Sequence, residues 1–326
     1  MEVITAAFES RALSAALVVL AVPAALVGYI LLVEAVVGRL PRRVAAGIRP
    51  WLWVAPALLF LGVFLVYPAI ATVLRSLENR RGDAWVGLEN YVWFFTRDET
   101  LLALRNNAAW VLLLPVLVVG LGLFVALFVD RVTYEAVVKS VVFLPMAISF
   151  VAAGVIWRLM YELDPAVGTL NAVVTGLGGN PVAWLSTAPW NNVMLIVVGV
   201  WMLTGFAMVI LSAGLKGIPP ELIEAARIDG ADERQVFRWV VLPLLAPTIA
   251  VVATTVVIFA LKTFDIVYVM TNGNFGTEVI ANRMYKELFT NGQQARAATL
   301  AVVLLVATVP VMVLNVKRFR QQEERR

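Results

Sequence analysis

Residues 217–247 read GIPPELIEAARIDGADERQVFRWVVLPLLAP, a charged stretch set between two strongly apolar ones. Pro219 and Pro220 fall where a first helical turn tolerates proline, because amides there have no intrahelical partner. ELIEAARI supplies good helix formers, with Leu222 and Ala226 stacked four residues apart. Gly230 stands where a left-handed residue closes a helix. Asp232 followed by Gln235 has the pattern of a capping box for a second helix, and Pro243 is expected to end that helix. The stretch therefore reads as a soluble helical hairpin, and a hairpin between apolar segments needs a partner to explain it.

The flanks set the class. Of 326 residues, 61% are hydrophobic and 15% charged, with a mean hydropathy of +0.86. A soluble domain is typically about one quarter charged. Seven stretches reach the roughly 20 apolar residues that cross a bilayer. They lie near 12–37, 51–74, 106–129, 138–160, 191–214, 248–271 and 297–316. The expected fold is an all-α polytopic membrane protein of about seven transmembrane helices. The first stretch is too long for a signal peptide, and its positive charge follows the apolar run, so it reads as an anchor. Arg39, Arg42, Arg43 and Arg49 crowd its far side. With the 130–137 connection, the hairpin and the KRFRQQEERR tail, they place the N-terminus outside and the C-terminus inside.

The chain has no cysteine and no histidine, which excludes disulfides, thiol catalysis, histidine acid–base chemistry and nearly all zinc sites. It has no G-x-x-x-x-G-K-[ST] phosphate loop, no G-x-S-x-G elbow and no paired catalytic carboxylates on its polar parts. An enzyme is not indicated, and neither a nucleotide nor a metal site is expected on this chain. The basic tail lacks interleaved aromatics and reads as a topology signal rather than a nucleic-acid patch. Two ionisable residues fall inside a span, Lys262 and Asp265 in FALKTFDIVYVM. Three apart on one helix they would share a face and neutralise one another, as a register pair or as the lining of a pathway. An ion-coupled secondary transporter using that pair is one functional reading. Outside the spans, WVGLENYVWFF (85–95) carries aromatics as interfacial belts do. Residues 161–190 read as a short amphipathic helix and a Gly/Pro turn region, either interfacial packing or a landing surface for a soluble partner.

EAARIDGADERQVFRWVVLP (224–243) resembles the EAA motif of binding-protein-dependent ABC importer permeases, in which E-A-A is followed by G, an aliphatic residue and L-P. The matching positions are Glu224, Ala225, Ala226, Gly230, Val240, Leu242 and Pro243, and Asp229 with Ala231 fits the D-G-A form frequent in carbohydrate importers. The resemblance covers roughly residues 50–318. It includes FLPMAISFVAAGVIWRLMY (143–161), GTLN (168–171) and FDIVYVMTNG (264–273), marks of the maltose-type permeases. TNGNFGTEVIANRMY (271–285) is most similar to alpha-glucoside permeases.

The resemblance implies a division into an extra N-terminal helix with a basic loop (1–49), a permease domain (50–318) and a basic tail (319–326). It implies a multi-pass subunit of a bacterial or archaeal cytoplasmic membrane that pairs with a second permease, as a heterodimer. The partners would be two ATPase subunits, which hold ATP and magnesium, and an extracytoplasmic sugar-binding protein. Glu224, Ala225, Ala226, Asp229, Gly230, Leu242 and Pro243 would couple to an ATPase, the two alanines allowing close helix approach. Alignment places a sugar pathway at Trp201, Met202 and Phe206 on one span and at Phe259, Lys262, Thr263 and Asp265 on another. The cargo implied is an alpha-glucoside such as maltose, trehalose or sucrose. Glycerol phosphate or an oligosaccharide is the alternative.

Overall fold

The structure, a computed structural model, describes residues 2–129 and 132–323. Asp130 and Arg131 of the 130–137 connection, and the last residues of the basic tail, lie outside the described residues. Every regular element among the described residues is helical, with a lone antiparallel bridge between Glu78 and Trp85. Six helices are long and apolar enough to cross a membrane, and a sharply bent pair makes a seventh if counted as one span.

The chain divides into two compact units, Met1–Ala71 and Thr72–Arg326. In the first, α1 (Glu2–Gly38) is followed by α2, which runs from Arg42 to Ser76 and so continues past the unit's end. The basic stretch read as a loop over 38–50 is therefore helical from Arg42 onward. Arg49 pairs with Glu34, and the Tyr29 hydroxyl donates to the Leu52 carbonyl. A π-helical turn at Gly62–Val66 interrupts α2 just before Pro68. Proline lacks the amide that would bond four residues back and its ring crowds that carbonyl. A wider turn ahead of the proline relieves both problems without ending the helix.

The second unit holds the remaining helices. After a polar loop come α3 (Glu89–Thr96) and α4 (Asp98–Val129). Asn90 secures the loop, its amide donating to the carbonyls of Ser76 and Glu78 at 2.9 Å each. The asparagine within WVGLENYVWFF (85–95) thus serves chain geometry. The stretch read as a single span over 138–160 is instead two helices, α5 (Glu135–Phe143) and α6 (Phe150–Met160), bent by 99°. Leu144–Ala147 tightens into a 3-10 turn with Pro145 near its start, Ile148 is extended, and the Ser149 hydroxyl caps α6 by accepting from Ala152 N at 3.1 Å. A serine after an extended residue starts a new helix, so the apolar pattern continues while the axis does not.

The short α7 (Thr169–Gly176) is tied down by buried Asn171, whose amide donates to the carbonyls of Glu162 and Val182 and whose oxygen accepts from Val182 N at 2.8 Å. Then follows α8 (Trp190–Lys216), the helix buried along most of its length, whereas α4 and its other neighbours bury one side only. Two glycines set how closely it is packed. A Cβ on Gly122 of α4 would stand 2.6 Å from the Ala207 Cβ, and one on Gly205 would stand 2.6 Å from the Phe143 Cα. In a lipid-surrounded bundle, van der Waals packing of small residues replaces the hydrophobic drive between helices. Gly205→Val should therefore cost about 1–3 kcal/mol by overpacking. Gly120→Val, at an open position, should leave thermal unfolding of the detergent-solubilised protein unchanged. Equal melting temperatures for the two variants would refute this packing account.

Candidate functional site

The hairpin closes much as its residues dictate. Pro219 is the N-cap and Pro220 the first residue of α9 (Pro220–Ile228). Gly230 has φ 88°, and its amide donates to Arg227 O at 3.1 Å while that of Ala231 donates to Ala226 O at 3.0 Å. Together these make a Schellman closure, which satisfies carbonyls at the helix end. Asp232 then starts a second helix with the capping box in place: its carboxylate accepts from Gln235 N at 2.8 Å, and Gln235 Oε1 accepts from Asp232 N at 2.9 Å. Across the turn, Arg227 donates to both carboxylate oxygens of Glu233, at 2.8 and 3.2 Å. That contact raises the guanidinium pKa above its usual value.

Pro243 does not end the second helix. The helix α10 continues unbroken from Glu233 to Leu261, with a π-helical turn at Phe237–Val241. Pro243 follows that turn at the same offset at which Pro68 follows its own. The capped hairpin and a membrane span are thus one rod, about 40 Å long at 1.5 Å per residue.

The hairpin has two faces. Ile218, Val236 and Val241 are buried together with Ile223, Ala226 and Phe237 packed on them. Ala226 is therefore spent on this chain's own packing, not held out for a partner. Leu222, Glu224, Ala225, Asp229 and Gly230 are exposed, and Ile228 is 85% exposed. Leu222 and Ala225 lie three apart on α9 with Ile228 three further on, an apolar stripe facing away from the bundle. Leu242 is half-buried and Pro243 exposed. At the hairpin's foot, Lys216 at the end of α8 pairs with Glu135 at 2.5 Å, and Glu135 also takes Lys139 at 2.6 Å. The hairpin is therefore tied to the start of the bent pair.

At the other end of α10 lies a cavity of about 320 Å³. Phe259, Lys262, Thr263 and Asp265 line it, with Lys262 and Phe259 exposed at its rim. The single helix expected over 248–271 is not formed. α10 stops at Leu261, and α11 (Asp265–Met270) restarts after a three-residue break. Lys262 and Asp265 consequently do not share a helix face, and among the described residues neither enters an ion pair. The break is stabilised by Asn107 of α4, whose amide donates to Leu261 O at 3.3 Å and whose oxygen accepts from Ile280 N at 2.8 Å.

Trp201, Met202 and Phe206 do not line this cavity. Trp201 packs edge-on against Trp157 with ring centroids 5.5 Å apart, Met202 is buried, and Phe206 packs against the main core. The face of α8 turned to the cavity carries Gly199 and Leu203 instead. Its other walls come from residues the sequence did not single out, among them Trp110, Phe150, Thr255 and Phe264. Phe150 and Phe259 stand 6.0 Å apart, and the buried indole nitrogen of Trp110 has no hydrogen-bond partner. Aromatic walls with a few convergent polar groups suit a polyhydroxylated ligand of modest size. Helical spacing alone could have grouped Trp110 with Leu114, but nothing in the sequence says which face of α4 meets the break after Leu261.

After the cavity, α12 (Ile280–Tyr285) leads through a π-helical turn at Lys286–Thr290 to α13 (Gln294–Glu323).

Comparison with known proteins places this geometry among transport permeases. Residues 118–319 match the family model described as binding-protein-dependent transport system inner membrane component. The osmoprotective compounds uptake permease protein GgtC of Synechocystis is 51% identical over 279 residues, 84% of this chain and 100% of that protein. The alpha-glucoside transport system permease protein AglF of Rhizobium meliloti is 47% identical over 280 residues, covering 84% and 83% of the two chains. Among solved structures, a chain of a bacterial ABC transporter involved in the import of the acidic polysaccharide alginate aligns with a TM-score of 0.73 at 25% identity. That alignment covers 86% of this chain and 99% of the other.

Asp232→Ala removes one half of the capping box and should cost about 1 kcal/mol at the start of α10. Hydrogen exchange at the Gln235 amide should then run about fivefold faster. An unchanged rate would mean that the Arg227–Glu233 pair alone holds the turn.

Proposed function

The chain belongs to the binding-protein-dependent transport system inner membrane components, and from that footing we propose that it is one permease subunit of an ATP-driven importer of alpha-glucosides such as maltose, trehalose or sucrose. The observation that carries the mechanism is the continuous helix α10, which has the capped hairpin at one end and the aromatic cavity at the other.

In this reading the hairpin enters a cleft on one of two partner ATPases, which supply ATP and magnesium chemistry. Leu222, Ala225 and Ile228 provide the apolar contact, Glu224 and Asp229 the polar one, and Gly230 the sharp turn. Ala226, Leu242 and Pro243 support the hairpin from behind rather than touching the partner. When the ATPases close, the hairpin is displaced, and α10 carries the motion to Phe259, Lys262 and Thr263 about 40 Å away at 1.5 Å per residue. The Lys216–Glu135 contact passes the same displacement to the bent pair. The π-helical turn before Pro243 lies between hairpin and cavity, where a local change of helix winding costs least.

The cavity is half of a pathway. Lys262 and Phe259 are exposed in the lone chain, and a second, different permease subunit facing them would complete the enclosure. The sugar then stacks on Phe150 and Phe259 and accepts hydrogen bonds from Trp110 and Lys262, with Asp265 accepting from its hydroxyls. Trp201, Met202 and Phe206 act through packing. An extracytoplasmic binding protein delivers the sugar, and the 161–190 region is part of its landing surface. The N-terminus lies outside and the C-terminus in the cytoplasm. Residues 1–49 form an added helix and the basic start of α2, 50–318 the permease domain and 319–326 a basic tail. The 51% identity to the cyanobacterial permease favours a second reading in which the cargo is an osmoprotective compound.

Glu224→Lys and Ile228→Asp should leave the protein in the membrane yet lower uptake at least about tenfold, as loss of a central contact does. The assay is ATPase stimulation and sugar uptake by the reconstituted complex, run against a panel of binding proteins loaded with maltose, trehalose, sucrose and osmoprotective solutes. Uptake at the parental rate in both variants would sink the coupling assignment. Stimulation only by osmoprotectant-loaded protein would select the second cargo. Phe259→Ala should instead raise the substrate concentration for half-maximal transport while leaving hairpin coupling intact.

A further inference from the structure

At the end of the bundle opposite the hairpin, a concavity of about 340 Å³ is lined by Trp93, Arg97, Asp98, Glu99, Arg283 and Arg296. The residues come from the end of α3, the start of α4, α12 and the first turn of α13. Their charges are unequally spent. Arg283 is engaged twice, 2.7 Å from Glu99 and 2.8 Å from buried Glu287. Arg296 lies flat over the Trp93 ring, its Cζ 4.7 Å from the centroid. Among the described residues, neither Arg296 nor Arg97 has an ion pair or a side-chain hydrogen bond, and the same holds for Asp98. Among the described residues, two guanidinium groups and one carboxylate around the polar hollow are thus without a counter-ion from the protein.

The level of the hollow points to its occupant. Arg296 comes directly before the apolar run of α13, and the apolar run of α4 begins at Ala108, about three turns from Asp98. That is the depth of lipid headgroups, where Trp and Arg collect. Val92, Phe95 and Leu101, on the same two helices, are exposed apolar residues beside the charges. A hollow that holds unpaired charge of both signs at separate positions, edged by apolar surface, matches a molecule with a phosphate, an ammonium and acyl chains.

We propose that this concavity seats the headgroup of a zwitterionic aminophospholipid such as phosphatidylethanolamine. The phosphate is held by Arg97 and Arg296, whose planar forks match its oxygens. The primary ammonium donates to Asp98, with Glu99 beside it. Phosphatidylcholine fits the same charges but has no N–H to donate, and phosphatidylglycerol has no cation for Asp98.

Native mass spectrometry of the full-length protein, released from nanodiscs with equal amounts of the three phospholipids in distinguishable acyl forms, tests this. Phosphatidylethanolamine should be retained about tenfold over phosphatidylcholine, the worth of one charge-assisted hydrogen bond. The double variant Arg97→Gln/Arg296→Gln should lose that adduct. Asp98→Asn should lose the preference for phosphatidylethanolamine while still retaining phosphatidylglycerol, which a misfolded protein would not do. Equal retention of the three lipids by the parent, or a preference untouched by the double variant, would overturn the proposal. So would displacement by millimolar inorganic phosphate, which assigns the hollow to a free anion. Displacement by the extracytoplasmic binding protein would overturn it as well, since that makes the arginines a protein-docking patch.

Discussion

Inside a bilayer, every backbone amide and carbonyl must find its partner within the protein, and the architecture of this chain follows from that requirement. Continuous helices meet it automatically. At several places where the backbone departs from a helix near the cavity, an asparagine side chain supplies the missing partners. Asn107 links the end of α10 to the start of α12, donating to Leu261 O and accepting from Ile280 N. Asn106 donates to the carbonyls of Gly276 and Glu278 at 2.8 Å each, and Asn191 donates to Phe275 O at 2.7 Å. The loop between α11 and α12 carries two non-glycine residues at positive φ, Asn272 and Phe275, and these bonds fasten it to α4 and α8. These amides let a permease keep irregular backbone beside its pathway.

The same requirement explains how two distant features are joined. Prolines near the hairpin would be expected to divide α10 into pieces, each with its own axis. The π-helical turn before Pro243 absorbs the missing donor instead, leaving one rod from capping box to cavity. Beside it runs α8, brought to near backbone contact with α4 by Gly122 of α4 and with α5 by its own Gly205. A bundle packed this closely repacks between discrete arrangements more readily than it deforms. That is the mechanical property an alternating pathway needs.

Much of this fold is legible in the amino-acid sequence. Seven apolar runs fall where the long helices and the bent pair lie, and the hairpin's glycine closure and capping box form at the residues that encode them. Such features are local: Gly230, Asp232 and Gln235 act within six positions of one another, where sequence and geometry are nearly the same information. The features that escape local rules have the opposite character. Pro243 ends a helix by its own rule, but a wider turn upstream cancels the rule's consequence. Lys262 and Asp265 have the spacing of a pair on a helix that in fact ends between them, because Asn107, more than 150 positions away, takes over the backbone. Ala225 and Ala226 look equivalent in the motif, yet only the second packs on the cluster of Ile218, Val236 and Val241.

The class and the hairpin need no fold to be read. Hydrophobic length marks a polytopic helical membrane protein, and the hairpin's motif carries its own caps, because both signals are written in consecutive residues. The faces that meet at the cavity are another matter, settled by packing between distant segments. Trp110, Phe150 and Gly199 lie on three different helices, and their meeting depends on close glycine contacts and on a 99° bend. Trp201 is kept from that wall by the same packing, because a helix buried nearly all round gives no sign of which side will be left hollow.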